Sequence, residues 1–171
     1  MGKTIGIIGC SKSKNDPSEW DDAHPDADAG DDVETLPLQY LYSSGFWTVK
    51  SRYGREVPDE WRILSGKFGL VSPDVEVEDT YERTLHNMSD EEIAEWAEMV
   101  REQSEALAEK HSDATLKLVL GGPYFEQATE ILADLPFTVK NPVEGAGGMG
   151  IQMRMLNERV DEAQNADLNQ H

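Results

Sequence analysis

Short apolar runs alternate along the chain with longer segments whose apolar residues recur at helical spacing. The runs are bounded by glycine, proline or polar residues, and they predict strands at residues 3–10, 60–66, 115–122 and 136–143. The intervening segments predict helices at residues 36–54, 89–111 and 123–135, and a last helix from residue 151. The helix at 89–111 is the most clearly marked, because Ser89 and Glu92 form a capping box ahead of one apolar face.

This alternation of strands and helices predicts the fold class. We expect one α/β domain over residues 1–160, Rossmann-like and three-layered, with a mostly parallel sheet covered by helices on both faces. Residues 15–36 are rich in Asp, Pro and Gly and hold no Lys or Arg. We interpret them as an acidic loop insertion, with a lid as the less favoured alternative. The polar residues 161–171 predict a flexible tail.

The charge balance narrows the classes of partner. The chain has 34 acidic and 15 basic residues, a net charge of -19, which disfavours a broad nonspecific nucleic-acid surface. We interpret the acidity as an adaptation to concentrated salt, where screening removes self-repulsion; the alternative is an acidic protein of an ordinary cytosol. No signal peptide or membrane-spanning run is evident, so we expect a cytoplasmic protein without a membrane partner. The oligomeric state stays open.

Three predicted strand ends carry small or basic residues. The first ends in Gly9-Cys10-Ser11-Lys12, the second in Ser65-Gly66-Lys67 and the third in Gly121-Gly122. If the strands are parallel, their carboxyl ends lie on one edge of the sheet, which is where ligands bind in open α/β sheets. The alternative is that these residues form ordinary turns, because glycine and serine are common turn residues. Three such ends favour a binding site.

A glycine-rich stretch precedes the last predicted helix. Gly145, Gly147 and Gly150 match GxGxxG, which is either an anion site at a helix start or a tight turn. Too little chain follows for a dinucleotide fingerprint, and neither "GKT" nor "SGKF" is a P-loop. The histidines lack ligand spacing, so we predict no metal and no cofactor.

The single cysteine excludes an internal disulfide. Cys10 is either a nucleophile, activated by Lys12 or Lys14 and a nearby helix start, or an inert small residue at a strand end. Among the many carboxylates, Asp74 and Glu82 are distinguished only by their place near the second strand end and Tyr81.

The motifs "IGIIGCSKSK", "LYSSGF", "WRILSGKFGLVSPDVEVEDTYERTL", "GGPYF" and "GAGGMGIQMRML" resemble, in order and spacing, an uncharacterised domain family of bacteria, archaea and phages. That family has CSxxK, LYxSxxF and ILSAKYGL motifs. The ILSGKFGL block is also similar to a block of the YaaA-type peroxide-stress proteins, which are associated with DNA protection. More distantly, "CSKSK" is similar to a motif of archaeosine synthase, which modifies a tRNA base.

The resemblance implies a set of site residues. It implies catalytic roles for Cys10, Ser11, Asp74 and Tyr81. It implies substrate binding by Lys14, Tyr42, Ser44, Ser65, Gly66, Lys67, Gly69, Gly145, Gly147 and Gly150. The chain departs from the family in its longer acidic loop and in "GAGGMG" where "GLGIG" is expected.

Three functions follow from these observations. The first is an enzyme acting on a nucleobase, nucleoside or nucleotide, free or within nucleic acid, by glycosidic-bond cleavage or exchange or by base modification. The second is a nucleotide sensor that does not turn its ligand over. The third is a nucleic-acid-binding stress protein, for which a local basic strip would be formed by Lys50, Arg52, Arg55, Arg62 and Lys67.

Overall fold

The computed structural model describes residues 2–169. The strands are β1 (Thr4–Gly9), β2 (Leu36–Pro37), β3 (Glu60–Ser65), β4 (Gly69–Val71), β5 (Glu76–Val77), β6 (Thr115–Val119) and β7 (Thr138–Lys140). The helices are α1 (Trp20–Ala23), α2 (Gly45–Glu56), α3 (Asp90–Lys110), α4 (Gly122–Leu132) and α5 (Met149–Asn169). Short 3-10 turns cover Pro17–Glu19, Leu38–Tyr40 and Leu85–Asn87. In the part of the chain so described, no helix is both long and apolar enough to cross a membrane.

The central sheet has five strands in the order β4-β3-β1-β6-β7. β1 pairs in parallel with β3 on one side and β6 on the other, and β6 pairs in parallel with β7. Only β4 is antiparallel, because it returns from β3 through a tight connection. The predicted mostly parallel sheet is therefore confirmed, and β4 is an antiparallel edge that the sequence reading did not separate from the loop after β3.

Helices cover both faces of this sheet and give three layers. α3 and α4 pack with Ile5 and Ile7 of β1 in one apolar cluster, and α2 and α5 pack with Ile8 in the other. Alternate residues of a strand point to opposite faces, and burial of both faces explains the continuous apolar run of β1. The expectation of an α/β domain with helices on both faces is confirmed.

The predicted helix at 36–54 is wrong in its first half. Leu36–Pro37 pairs with Glu76–Val77 instead, and α2 begins only at Gly45. Ser44 caps that helix, because its hydroxyl accepts a hydrogen bond from the Trp47 amide at 3.0 Å. The apolar residues at 38, 41 and 42 have helical spacing and are buried, but they belong to a 3-10 turn and its end and to a β-bridge rather than to a helix.

Two further segments differ from the sequence-based expectation. The acidic segment 15–36 is not a plain loop, because it contains Pro17–Glu19 and α1, and Trp20 is 1% exposed. The indole nitrogen of Trp20 donates to the Asn15 carbonyl at 3.1 Å, which fastens the segment to the body. Residues 161–169 continue α5 as helix where the sequence predicts a tail. Residues 170 and 171 of that tail lie outside the described residues.

Candidate functional site

The parallel pairing brings the three predicted strand ends to one edge of the sheet. β1 lies between β3 and β6, so Cys10 is flanked by the ends of both neighbours, and its amide donates to the Leu64 carbonyl at 3.1 Å. The chain leaves β1 toward β3 and leaves β6 toward β7, so the connections diverge between β1 and β6. Such a reversal opens a crevice at the carboxyl ends of the strands, where ligands of open α/β sheets bind.

The "CSKSK" and "LYSS" motifs lie against each other at this edge. Lys14 forms a β-bridge with Tyr42, and the Ser43 amide donates to the Ser13 carbonyl at 3.0 Å. The Ser11 hydroxyl donates to the Ser44 hydroxyl at 2.9 Å, and Ser44 caps α2. The end of β1 is therefore fastened to the start of α2.

A buried chain of hydroxyl groups lies below the edge. The Tyr42 and Tyr81 hydroxyls are 2.5 Å apart, and the Tyr81 hydroxyl is 2.8 Å from Ser65 Oγ. Ser65 Oγ also accepts the amides of Lys67 and Phe68 at 3.1 and 3.2 Å. A hydroxyl oxygen accepts at most two hydrogen bonds, and these two amides fill that capacity of Ser65 Oγ. The Ser65 hydroxyl therefore donates to the Tyr81 oxygen, and the Tyr81 hydroxyl donates to Tyr42.

The two tyrosine hydroxyls of this hydrogen-bonded group stay neutral over the ordinary pH range. Burial raises the pKa of Tyr42 far above that of a free phenol, and the neighbouring Tyr81 raises it further. Burial likewise raises the pKa of Tyr81. The two phenols therefore act as hydrogen-bonding groups that hold the loop after β3.

Cys10 is half-buried and lies beside a second tyrosine. Its thiol donates to the Tyr124 hydroxyl over 3.7 Å, and that hydroxyl also accepts from the Leu85 amide at 3.2 Å. The Tyr124 ring packs edge-on against Trp96, whose indole nitrogen donates to the Ser65 carbonyl at 2.9 Å. Through these contacts α3 and α4 both support the edge from one face.

Two lysines are held at the edge without a carboxylate. Lys14 Nζ lies 4.5 Å from the centre of the Tyr81 ring and donates to the Lys12 carbonyl at 3.0 Å. Burial lowers the pKa of Lys14, an effect that the charges of Cys10 and Glu82 oppose. Lys50 is buried beneath the end of β1, donates to the Gly9 carbonyl at 2.8 Å, and has its pKa lowered by burial to about 8.

Four lysines at this edge have no acidic partner in the described part of the chain. None forms an ion pair with a carboxylate within 4.0 Å among residues 2–169, although the chain is strongly acidic. They are Lys12, Lys14, Lys50 and Lys67. By contrast, Arg52 and Arg62 pair with Glu56 and Glu60. The edge therefore holds four lysines that no carboxylate of residues 2–169 pairs with inside 4.0 Å, a condition that favours binding of an anion.

The glycines of the site divide into two groups. A β-carbon on Gly66 would lie 2.3 Å from the Arg83 carbonyl oxygen, and one on Gly69, at φ +73°, would lie 2.3 Å from Gln103 Oε1. Gly66 therefore requires glycine because backbone encloses it, and Gly69 requires glycine because of its left-handed backbone. Gly121, Gly122, Gly145 and Gly150 have open space where a β-carbon would be, so close packing within the chain does not explain them.

The 145–150 stretch is only partly a loop. Gly145 has φ +83°, α5 already begins at Met149, and Gly147 and Gly150 are exposed. Val143 and Ala146 pack in the same apolar cluster as Tyr42 and Tyr81. The stretch is thus fastened near the edge on the α2 and α5 face, but no hydrogen bond in residues 2–169 joins it to Cys10 or Lys67.

Asp74 is apart from the other residues that the resemblance implies. It is exposed, and its carboxylate accepts from the Gln39 side-chain amide at 2.8 Å. Within the described residues no hydrogen bond or ion pair connects it to Cys10, Lys14 or Tyr81. Glu82 is the carboxylate whose charge acts on Lys14.

Sequence reasoning did not place three supporting residues in the site, and it named one of them, Lys50, only for the basic strip. Lys50 lies four residues after Phe46 on the inward face of α2, and a lysine at an apolar position of a helix is the signal that would have identified it. Tyr124 follows directly in "GGPYF" after the third strand end. Trp96 has the spacing of the apolar face of α3, and nothing in the sequence indicates that its indole donates to the Ser65 carbonyl.

The basic strip that the third hypothesis needs is not formed. Lys50 is buried, and Arg52 and Arg62 are ion-paired. Lys67 follows the carboxyl end of β3, whereas Glu60, the partner of Arg62, is at the start of that strand. In residues 2–169 no group of three or more His, Cys, Asp or Glu side chains is placed to hold a metal ion.

Comparison with known proteins gives a family. A model described as "Family of unknown function (DUF6884)" matches residues 5–158, from β1 into α5. The chain belongs to this family. It is also 29% identical over 160 residues to "Uncharacterized protein YfjM" of Bacillus subtilis (strain 168), an alignment covering 94% of this chain and 97% of that protein. No solved structure matches. The expectation of an uncharacterised domain family is confirmed in this form.

Proposed function

We propose that the protein is an enzyme acting on a nucleobase, nucleoside or nucleotide, free or within nucleic acid, at the carboxyl edge of the sheet. The observation that carries this proposal is the group of lysines that follow β1 and β3 or lie beneath β1, which form no ion pair within residues 2–169, together with the half-buried thiol of Cys10. The nucleobase class rests on the similarity of the "ILSGKFGL" and "CSKSK" motifs to YaaA-type proteins and archaeosine synthase. The reaction class is glycosidic-bond cleavage or exchange, or base modification.

We assign the anionic part of the substrate to the rim of the edge, by which we mean the solvent-accessible lysines Lys14 and Lys67. Lys67 is exposed, Lys14 is half-exposed, and both ammonium groups are available to a phosphate. Gly121 precedes α4 without a side-chain cap, and its neighbourhood is open, so the first amides of that helix face the same anion. Ser11 and Ser44 are the hydroxyls next to this rim.

The reacting groups are assigned to Cys10 and its neighbours. The Tyr124 hydroxyl accepts from the thiol now, and it would donate to the sulfur if the thiol lost its proton. Lys50 holds the backbone carbonyls of Gly9 and Cys10, so we class it as a positioning residue. Within residues 2–169 Asp74 makes no hydrogen bond or ion pair with this group, and Glu82 is the better candidate for a carboxylate that approaches the substrate.

A ligand screen tests the proposal directly. We would measure thermal unfolding in molar KCl with free bases, nucleosides, nucleotides and short single-stranded oligonucleotides. A compound that binds only the native state stabilises it by about 2.7 kcal/mol at a hundred times its Kd. We expect one class to raise the midpoint of the wild type and of Lys110→Ala, but not of Lys67→Ala. The same class is then incubated with wild type and Cys10→Ser, and product is expected from the wild type alone.

The outcomes separate the candidate functions. A midpoint that no compound raises contradicts a nucleotide site at this edge. A midpoint rise that depends on Lys67, with no product formed by the wild type, supports the second candidate, a nucleotide sensor. That candidate is favoured by one observation, the absence of any carboxylate bonded to Cys10, Lys14 or Tyr81 within the described residues.

The remaining parts of the resemblance are proposals as well. The paired Arg52 and Arg62 give less support to a nucleic-acid-binding stress protein of the YaaA type. Such binding predicts an affinity that falls steeply with salt. Salt adaptation and a cytoplasmic location are proposed from the net charge of -19. Unfolding free energy that rises with KCl concentration would support salt adaptation.

A further inference from the structure

A second basic cluster lies away from the carboxyl edge. Lys117 of β6 and Lys140 of β7 are directly opposite each other in the parallel register. Together with Arg159 of α5 they line a cleft of about 560 Å³. The other residues that line this half-open cleft are Tyr53, Val57, Asn141, Pro142, Glu162 and Ala163. None of these residues belongs to the edge site.

The charges of this cleft are not balanced within the described residues. Lys117 and Lys140 have no carboxylate within 4.0 Å in residues 2–169, and Arg159 has one partner, Glu162, at 3.3 Å. Burial lowers the pKa of Lys117, and the charges of Lys140 and Arg159 lower it further. Like charges directly opposite in a sheet are destabilising. A chain with 34 acidic residues therefore keeps its cations together here at a cost in stability.

Protection of the sheet edge explains only one of these cations. β7 is an edge strand, all its residues are exposed, and an edge lysine hinders pairing with another chain. Lys140 fits that role. Lys117 does not, because β6 is paired on both sides and the Lys117 side chain points into the cleft lining.

We propose that this cleft binds a phosphate-bearing anion with two or more negative charges, at a site separate from the carboxyl edge. The two ammonium groups supply point charges to adjacent phosphate oxygens, and the guanidinium of Arg159 supplies paired N–H donors. The Asn141 side chain borders the same space and is able to accept or donate a hydrogen bond. A pyrophosphate group fits the charge and the volume of the cleft.

The test is a calorimetric titration with inorganic pyrophosphate at constant ionic strength. The variant is Lys117→Gln with Lys140→Gln, and the matched control is Arg55→Gln with Lys110→Gln, which removes the same charge from positions outside the cleft. Charged hydrogen bonds contribute about 1.5–3 kcal/mol each, so the cleft variant is expected to lose affinity more than about tenfold. Wild type and the control pair are expected to bind alike.

Two results would overturn the proposal: no saturable binding to the wild type, or an equal loss in both double variants. If the double variant does not melt cooperatively, Lys140→Gln alone replaces it, because that exposed residue bears little on folding. A nucleoside diphosphate and a short single-stranded oligonucleotide, titrated in parallel, distinguish a free nucleotide from a nucleic-acid backbone as the source of the phosphate.

Discussion

The carboxyl edge of the sheet contains two layers with opposite character. In the lower layer Tyr42, Tyr81 and Ser65 are buried and hydrogen-bonded to one another, and Gly66 is enclosed by backbone. In the upper layer Lys67 is exposed without an acidic partner in the described residues, and open space surrounds the neighbouring glycines Gly121 and Gly122. The same family motifs supply both layers. Presence in a motif therefore does not distinguish a residue that builds the edge from one that is available to a ligand.

The two layers predict losses of stability of different size, and the glycines give the largest contrast. Gly66→Ala places a β-carbon 2.3 Å from the Arg83 carbonyl oxygen, which backbone movement must relieve. We expect a loss of about 3 kcal/mol in the free energy of unfolding. Gly121→Ala meets no atom within 4 Å and is expected to cost less than about 1 kcal/mol. Urea unfolding at one salt concentration measures both, and equal losses would remove the distinction between the layers.

The sheet and the positions of the strand ends follow from the sequence, whereas the contacts between the ends do not. Apolar runs bounded by turn residues predicted β1, β3 and β6 because burial on both faces leaves a continuous pattern. The placement of Leu36–Pro37 against Glu76–Val77 depends on long-range pairing, which periodicity does not encode. The same holds for Asp74, whose sequence position suggested a place in the site but whose carboxylate accepts a hydrogen bond from the Gln39 side chain.

Lys50 shares a property with each layer. It is buried, like the residues of the lower layer, and it carries a positive charge when protonated, like Lys67 of the upper layer. Its pKa is lowered by burial to about 8, below the ordinary lysine value. Between that pKa and the value in the unfolded chain, the unfolded state binds more protons than the folded state, so stability rises with pH. We expect the unfolding free energy of wild type minus that of Lys50→Met to increase by about 2–3 kcal/mol from pH 8 to pH 10.

We compare the unfolding free energies of wild type and Lys50→Met because the titration of the tyrosines and of the exposed groups is common to both proteins and cancels in the difference. Arg52→Gln, two residues further along α2 and partly exposed to solvent, serves as a control whose difference from wild type stays flat over the same range. A flat difference for Lys50→Met as well would mean that Lys50 remains fully charged beneath β1.

The smallest effect concerns the hydroxyl chain of the lower layer. Tyr81→Phe removes the oxygen that joins Tyr42 to Ser65, and both partners remain buried. We expect a loss of about 1–2 kcal/mol in the free energy of unfolding. Tyr53→Phe is the matched control, because Tyr53 is also buried but its hydroxyl makes no hydrogen bond with residues 2–169. If Tyr81→Phe is as stable as this control but no longer binds the ligand whose binding depends on Lys67, Tyr81 belongs to the upper layer, which is available to a ligand, and not to the lower one.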